Sequence, residues 1–267
     1  MPKQKYFDVL QKLRLIDDIL FSACFDDNPN DVQYILRIIL DKPDLNVLEV
    51  QTQKSIENLY GRSVRFDVFA SDDSGKLYNI EVQRADSGAI PSRARYNSSM
   101  LDYHELQKSH DFKELPETFV IFITENDVLC GEQKIYHIDR IIRETGKNFD
   151  DGTHIIYVNG SFKGEVGVPL DDLIHDFFCD NPADMRHKQL ADRISFLKNN
   201  AKGVNNVNKI IEEVFADELA EGRKQSEKQT LLNSIRNAMD SWKLSVDEAM
   251  NGLKIPPELQ NELKPLL

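Results

Sequence analysis

Asp67 and Glu81 lie on two short strands joined by a glycine turn, and their placement gives them the clearest chemical potential in this chain. The first strand reads Val64-Arg65-Phe66-Asp67-Val68-Phe69-Ala70 and the second Leu77-Tyr78-Asn79-Ile80-Glu81-Val82-Gln83, with Ser71-Asp72-Asp73-Ser74-Gly75-Lys76 between them. Side chains alternate along a strand, so Val64, Phe66 and Val68 share one side, as do Tyr78, Ile80 and Val82. A hairpin centred on Ser74 sets Asp67 opposite Glu81 and Arg65 opposite Gln83. Like charges directly opposed repel. A divalent cation held by both carboxylates removes that cost and gives the pair a purpose. The plainer alternative is an amphipathic hairpin with a solvated polar face, and a one-residue slip would send the two acids to opposite faces.

The surrounding pattern supplies elements to position the hairpin. Leu13, Ile16, Leu20 and Cys24 recur at helical spacing and predict a helix over 11–25. Asp31 is the expected cap of a second helix through Leu40, striped by Val32, Ile35, Leu36 and Ile39. Residues 47–52 are an expected strand that precedes the hairpin. Pro91 opens a polar helix to about Lys108, followed by Thr118-Phe119-Val120-Ile121-Phe122-Ile123-Thr124. That continuous apolar run predicts a strand buried on both faces, and residues 154–159 a further strand. A helix between two strands implies a crossover in a mixed α/β core.

Composition changes after about Phe178. Residues 183–240 read as long, exposed helices, which places a domain of residues 1–180 before a helical region of 181–267. Ser245-Val246-Asp247-Glu248 is a capping-box pattern, and Pro256-Pro257 opens the last helix. This pair of short helices is either a helix-turn-helix or a packing or dimerisation appendage. Trp242 is the expected packing anchor there.

Hydrophobic residues make up 40% of the 267 and charged residues 29%, a balance typical of globular proteins. The net charge of −12 argues against a chain that coats nucleic acid or anionic membrane by bulk electrostatics, while allowing a local basic patch. Cys24, Cys130 and Cys179 are far apart, which fits reduced core thiols better than a disulfide framework or zinc site. The histidines are scattered, with His104 and His110 expected at the surface. Neither a signal peptide nor a membrane-spanning apolar run is evident, so the cytoplasm is the expected location.

Several segments together carry a family likeness: Asp18-Ile19-Leu20-Phe21, Arg65-Phe66-Asp67-Val68, Asn79-Ile80-Glu81-Val82-Gln83, Arg93-Ala94-Arg95-Tyr96 and Leu115-Pro116-Glu117-Thr118-Phe119-Val120-Ile121-Phe122-Ile123. Over about residues 10–160 the chain resembles the Rpn-like recombination-promoting nucleases, also described as PD-(D/E)XK nuclease family transposases. The resemblance implies an α/β, restriction-endonuclease-like core (helix, three strands, helix, strand) with a C-terminal helical extension. It implies Mg²⁺, with Mn²⁺ as the alternative ion, held by Asp67, Glu81 and the backbone carbonyl of Val82. Asp18 is then an outer ligand or water-orienting acid, although an acid near a helix start also serves the helix dipole alone. Arg65, Arg84, Arg93, Arg95 and Tyr96 are the expected contacts to DNA, unless the helix arginines form only a solvated face. The pattern of the superfamily ends in Lys where this chain has Gln83, which orients water without charge.

The expected function is therefore a Mg²⁺-dependent endonuclease on double-stranded DNA, associated with recombination or mobile elements. It would act as a monomer or as a homodimer through the C-terminal helices. The alternatives are a nuclease-fold binding module with little or no turnover, and a regulator of a partner nuclease.

Overall fold

A computed structural model describes residues 2–58, 62–106 and 111–267, with the side chains at 2–6, 213–225, 258 and 262 excepted. In chain order its elements are α1 (Pro2–Lys12), α2 (Asp18–Phe25), α3 (Pro29–Leu40), β1 (Val47–Ile56), β2 (Val64–Asp72), β3 (Leu77–Gln83), α4 (Pro91–Glu105), β4 (Thr118–Thr124), β5 (Ile135–Ile138), β6 (Ile141–Ile142), β7 (Lys147–Asn148), β8 (Thr153–Asn159), α5 (Pro169–Phe177), α6 (Lys188–Asn199), α7 (Ala201–Trp242), α8 (Val246–Gly252) and α9 (Pro257–Leu263).

The hairpin forms in the expected register. Val68 pairs with Ile80, Phe69 with Asn79, Ala70 with Tyr78 and Ser71 with Leu77. Asp72 builds the turn: its Oδ1 accepts the backbone N–H of Ser74 and of Lys76, each at 2.9 Å, and Gly75 takes the left-handed conformation at φ 77°. The paired stretch stops at Val68 and Ile80, one step short of Asp67 and Glu81.

The main sheet runs β1-β2-β3-β4-β8-β5, with β6 and β7 forming a separate small hairpin. β1, β2 and β3 are antiparallel, β3, β4 and β8 parallel, and β5 antiparallel to β8. α4 is the expected crossover between β3 and β4, and it packs Ala94, Met100 and Leu101 against Phe69, Val120, Phe122 and Tyr157. α2 and α3 lie against the first strands. Every residue of β4 is buried, as its unbroken apolar run requires. All of β3 but Gln83 is buried as well.

Several local expectations are corrected. The helix expected over 11–25 is two helices, because the backbone groups between them bond elsewhere. The N–H of Arg14 goes to Asp17 Oδ2 at 2.7 Å and that of Ile16 to the carbonyl of Phe177 at 3.1 Å. α3 is capped by Asn28, whose side chain accepts the Asp31 N–H, and the Asp31 carboxylate instead accepts from Asn28 and Gln189. The first strand extends to Ile56, and β5, β6 and β7 add to the expected set. Of the cysteines only Cys24 is buried, while Cys179 is half-buried and Cys130 exposed. His104 is exposed as expected; His110 and the expected end of α4 near Lys108 lie outside the described residues.

The chain separates into two compact units, residues 1–210 and 211–267, so the first extends past the expected boundary at 180. α6 belongs to it rather than lying exposed: Leu190, Ile194 and Leu197 are buried, a stripe that follows the helical period. In the second unit Leu232, Ile235 and Ala238 of α7 pack with Ala249, Met250, Ile255 and Leu263. The capping box at Ser245 and Glu248 is formed. Trp242 is not the anchor expected, since it is 67% exposed.

Lys198 fastens α6 to the start of the chain. Its fully buried side chain donates to the carbonyls of Gln11 (3.0 Å), Leu13 (2.6 Å) and Asp180, and burial lowers its pKa. Lys198→Met would strand those three carbonyls and is expected to cost about 2–4 kcal/mol. Urea unfolding followed by far-UV circular dichroism measures that loss.

Candidate active site

Asp67 and Glu81 are buried on the α4 side of the sheet, just beyond the end of the β2–β3 ladder. Asp67 Oδ2 accepts the backbone N–H of Val82 at 3.0 Å, which fixes the carboxylate across the gap that the ladder leaves. Glu81 is fully buried, and each of its oxygens accepts from a different donor. Oε1 takes Asn79 Nδ2 at 2.8 Å, and Oε2 takes Arg93 Nη2 at 2.9 Å. Asn97 of α4 in turn donates to Asn79 Oδ1 at 3.2 Å. A relay from α4 through Asn79 therefore sets the plane of the Glu81 carboxylate.

Burial raises the pKa of both acids. For Asp67 the charges of Glu81 and then Asp18 add to the rise, and the Val82 N–H opposes it only in part. For Glu81 the Asn79 amide, the Arg93 guanidinium and the Asp67 backbone amide work against the burial. Two acids held above their ordinary range by desolvation, with the charge of Asp18 adding to the rise of both, form a site that favours positive charge.

Asp18 is the first residue of α2 and lines the same cleft, of about 780 Å³, with Arg62, Arg65, Asp67, Gln83, Arg93 and Tyr96 among the other walls. Asp18 is exposed at the cleft, where desolvation by the surrounding walls and the charge of Asp17 raise its pKa, while Arg65 and Arg93 lower it. Gln83 Oε1 accepts from Arg93 Nη1 at 3.4 Å, and Arg93 also reaches the Gly88 carbonyl at 3.0 Å. Gly88 lies against the Gln83 amide: a Cβ there would lie 2.0 Å from Gln83 Oε1 and would push that side chain off its place beside Arg93.

The remaining expected contacts are placed differently. Arg84 turns away to Asp17 (3.0 Å) and Glu125 (2.9 Å). Arg95 is exposed on α4 and does not line the cleft. Tyr96 lines it, but its hydroxyl donates to the Arg62 carbonyl at 2.5 Å and accepts from Asn58. Asn79, Asn97, Arg62 and Gly88 enter the site without having been singled out from the sequence. Two signals for them were present: Asn79 shares the face of Glu81 by strand alternation, and Asn97 follows Arg93 by one helical turn.

A second cluster, His175, Asp176 and Cys179, also gathers possible metal-binding atoms. Its Asp176 is occupied by the N–H groups of Arg186 and His187 and by both His175 and His187 rings. It is a structural anchor for the segment after α5. At the Asp67–Glu81 site the donors are all oxygen, which suits Mg²⁺ or Mn²⁺ rather than a thiolate-seeking metal.

No curated protein and no solved structure matches the chain. The model of one family, the PD-(D/E)XK nuclease family transposases, matches residues 18–162. The match takes in α2, the whole hairpin, the α4 crossover, β4 and β8, and therefore every wall of the cleft named above. The chain belongs to the PD-(D/E)XK nuclease family transposases.

Proposed function

We infer that this chain is a Mg²⁺-dependent endodeoxyribonuclease that hydrolyses phosphodiester bonds in double-stranded DNA, in recombination or on mobile elements. The observation that carries this reading is a cleft lined by Asp18, Asp67, Arg62, Arg65 and Arg93, with Glu81 buried directly behind Arg93. Asp67 and Glu81, with the Val82 carbonyl, would hold the ion, and Mn²⁺ would serve as well. The ion would offset charge growing on the phosphoryl oxygens and make water a better nucleophile. Gln83 keeps its amide N–H₂ for orienting that water, since its Oε1 is already committed to Arg93. Asp18 takes a proton or aligns the water at the rim, as its raised pKa favours. Arg65 and Arg62 align the phosphodiester backbone.

Gln83 and the acidic body also favour a second reading, a binding module with the nuclease fold. Among the described residues no helix is long and apolar enough to cross a membrane, and the DNA substrate points to action in the cytoplasm. Two strands are cut most simply by two copies, and the C-terminal helices offer the surface for a homodimer.

Plasmid DNA incubated with the full chain and Mg²⁺ is expected to be nicked or linearised, and Asp67→Ala with Glu81→Ala to cut at least about 10³-fold more slowly. No cleavage by the wild type over a range of pH and of Mg²⁺ and Mn²⁺ favours the binding module; equal cleavage by both proteins rejects these residues. Gln83→Lys is expected to lower activity, because its ammonium would meet the Arg93 guanidinium at contact distance.

The buried acids also predict an effect on stability. A carboxyl whose pKa is raised on folding contributes stability below its ordinary range and loses it as pH rises through the raised value. Asp67→Asn in chelator is therefore expected to melt higher than the wild type near about pH 8, with the gap closing towards about pH 5. Each kcal/mol relieved reads as about 2–4 °C in a unit of this size. A lower melting point for the variant across that range contradicts the assignment.

A further inference from the structure

Arg93 is tethered at one end and committed to Glu81 at the other. Its Nη1 holds the Gly88 carbonyl and Gln83 Oε1, while its Nη2 holds Glu81 Oε2 at 2.9 Å. Glu81 is fully buried, whereas the Arg93 side chain keeps 38% of its exposure and lines the cleft. Oε1 of Glu81 is taken up by the Asn79–Asn97 relay inside the protein. Oε2 is thus the oxygen shared with a wall of the cleft, and a divalent cation bound by Glu81 must compete there with a guanidinium. Two cations at one carboxylate oxygen repel strongly in a partly desolvated site.

Charge balance sharpens the point. Asp18 and Asp67 in the cleft wall, with Glu81 buried behind Arg93, set three carboxylates against the guanidiniums of Arg62, Arg65 and Arg93. A divalent cation tips this balanced cleft to a surplus of two positive charges, which suits an entering phosphodiester.

Resting on the reading of Asp67 and Glu81 as cation ligands, we propose that Arg93 is an exchanging counter-ion. Its Nη2 holds Glu81 until a divalent cation takes the carboxylate, and it is then presented to a phosphate oxygen of the DNA. Nη1 stays on the Gly88 carbonyl throughout, so the guanidinium needs only a small turn. The same residue neutralises the buried acid before loading and binds substrate after it. Arg93 and the cation therefore oppose each other's binding, by equal amounts.

The test is Mn²⁺ titration of the full chain, with the free ion read by electron paramagnetic resonance, beside plasmid cleavage in Mg²⁺. Arg93→Met and Arg93→Gln are expected to bind Mn²⁺ on the order of 10-fold more tightly than the wild type. Their cleavage is expected to fall about 10²-fold. Arg93→Gln retains a donor for the Gly88 carbonyl and keeps the test readable if Arg93→Met does not fold. Equal or weaker Mn²⁺ binding by the variants, with wild-type binding intact and lost in Asp67→Asn, overturns the exchange and leaves the cation site standing. Tighter binding with unchanged cleavage overturns the role at the phosphate. A wild type that binds no Mn²⁺ overturns the site and the exchange together.

Discussion

Burying two carboxylates side by side is costly unless donors and counter-charge surround them. In this chain the cost is concentrated at Asp67 and Glu81, where the β2–β3 ladder gives out. Had the ladder continued, backbone groups would have satisfied one another and left the acids with little but repulsion. Instead the Val82 N–H is free to serve Asp67. Glu81 is reached by Asn79 from its own strand and by Arg93 from the crossover helix. The pair is tolerated because its donors come from two elements that the topology brings together.

That requirement explains the position of α4. A parallel β3–β4 pair needs a crossover, and the crossover starts where Gln83 ends. Its first turns carry Arg93 and Asn97 over the buried face of β3, so one helix supplies both the charge and the amide relay. The approach is close enough at Gly88 that a side chain there would have to displace the Gln83 amide. On the other side, the interruption of the helix between α1 and α2 brings Asp18 to the cleft at the positive end of a helix dipole. Asp17, next to it, is committed to Arg14 and Arg84. Adjacent acids therefore divide the work, one holding structure and the other facing the cleft.

The hairpin, its register, the crossover and the buried β4 were legible because strand alternation and apolar runs report directly on which faces are covered. The break at 13–17 was not, because helical spacing cannot register that Ile16 gives its N–H to Phe177, far along the chain. The same blindness to distant partners hid Asn28 as the α3 cap, since Asp31 is drawn to Gln189 of α6. It also placed the end of the first unit too early, because the Leu190–Ile194–Leu197 stripe looks like any amphipathic helix until its neighbour is known. At the site the acids were legible as an unexplained repulsion. Their supports were less so: amides are common on polar faces, and only the fold shows Asn79 and Asn97 to be buried and joined. Among the arginines the sequence ranks none, whereas the fold separates Arg93, on a catalytic carboxylate candidate, from Arg84, on the half-buried Asp17 and Glu125.

Gln83 follows from the same geometry. A lysine at this position would bring a second cation to the side of Arg93, within reach of the same buried acid, and the two would repel in a medium of low dielectric. A neutral amide instead accepts from Arg93 through its oxygen and keeps its nitrogen for the cleft. Positive charge thus sits on the crossover helix rather than on the strand that carries Glu81. The charge is delocalised and forked, able to hold a carbonyl, an amide and a carboxylate at once, which a lysine ammonium on a flexible stem does less well. Because α4 carries it, any shift of that helix changes the electrostatics of the acids and the set of the cleft together. Glutamine at 83 and arginine at 93 are therefore best understood as one arrangement, in which each residue type is suited to the other.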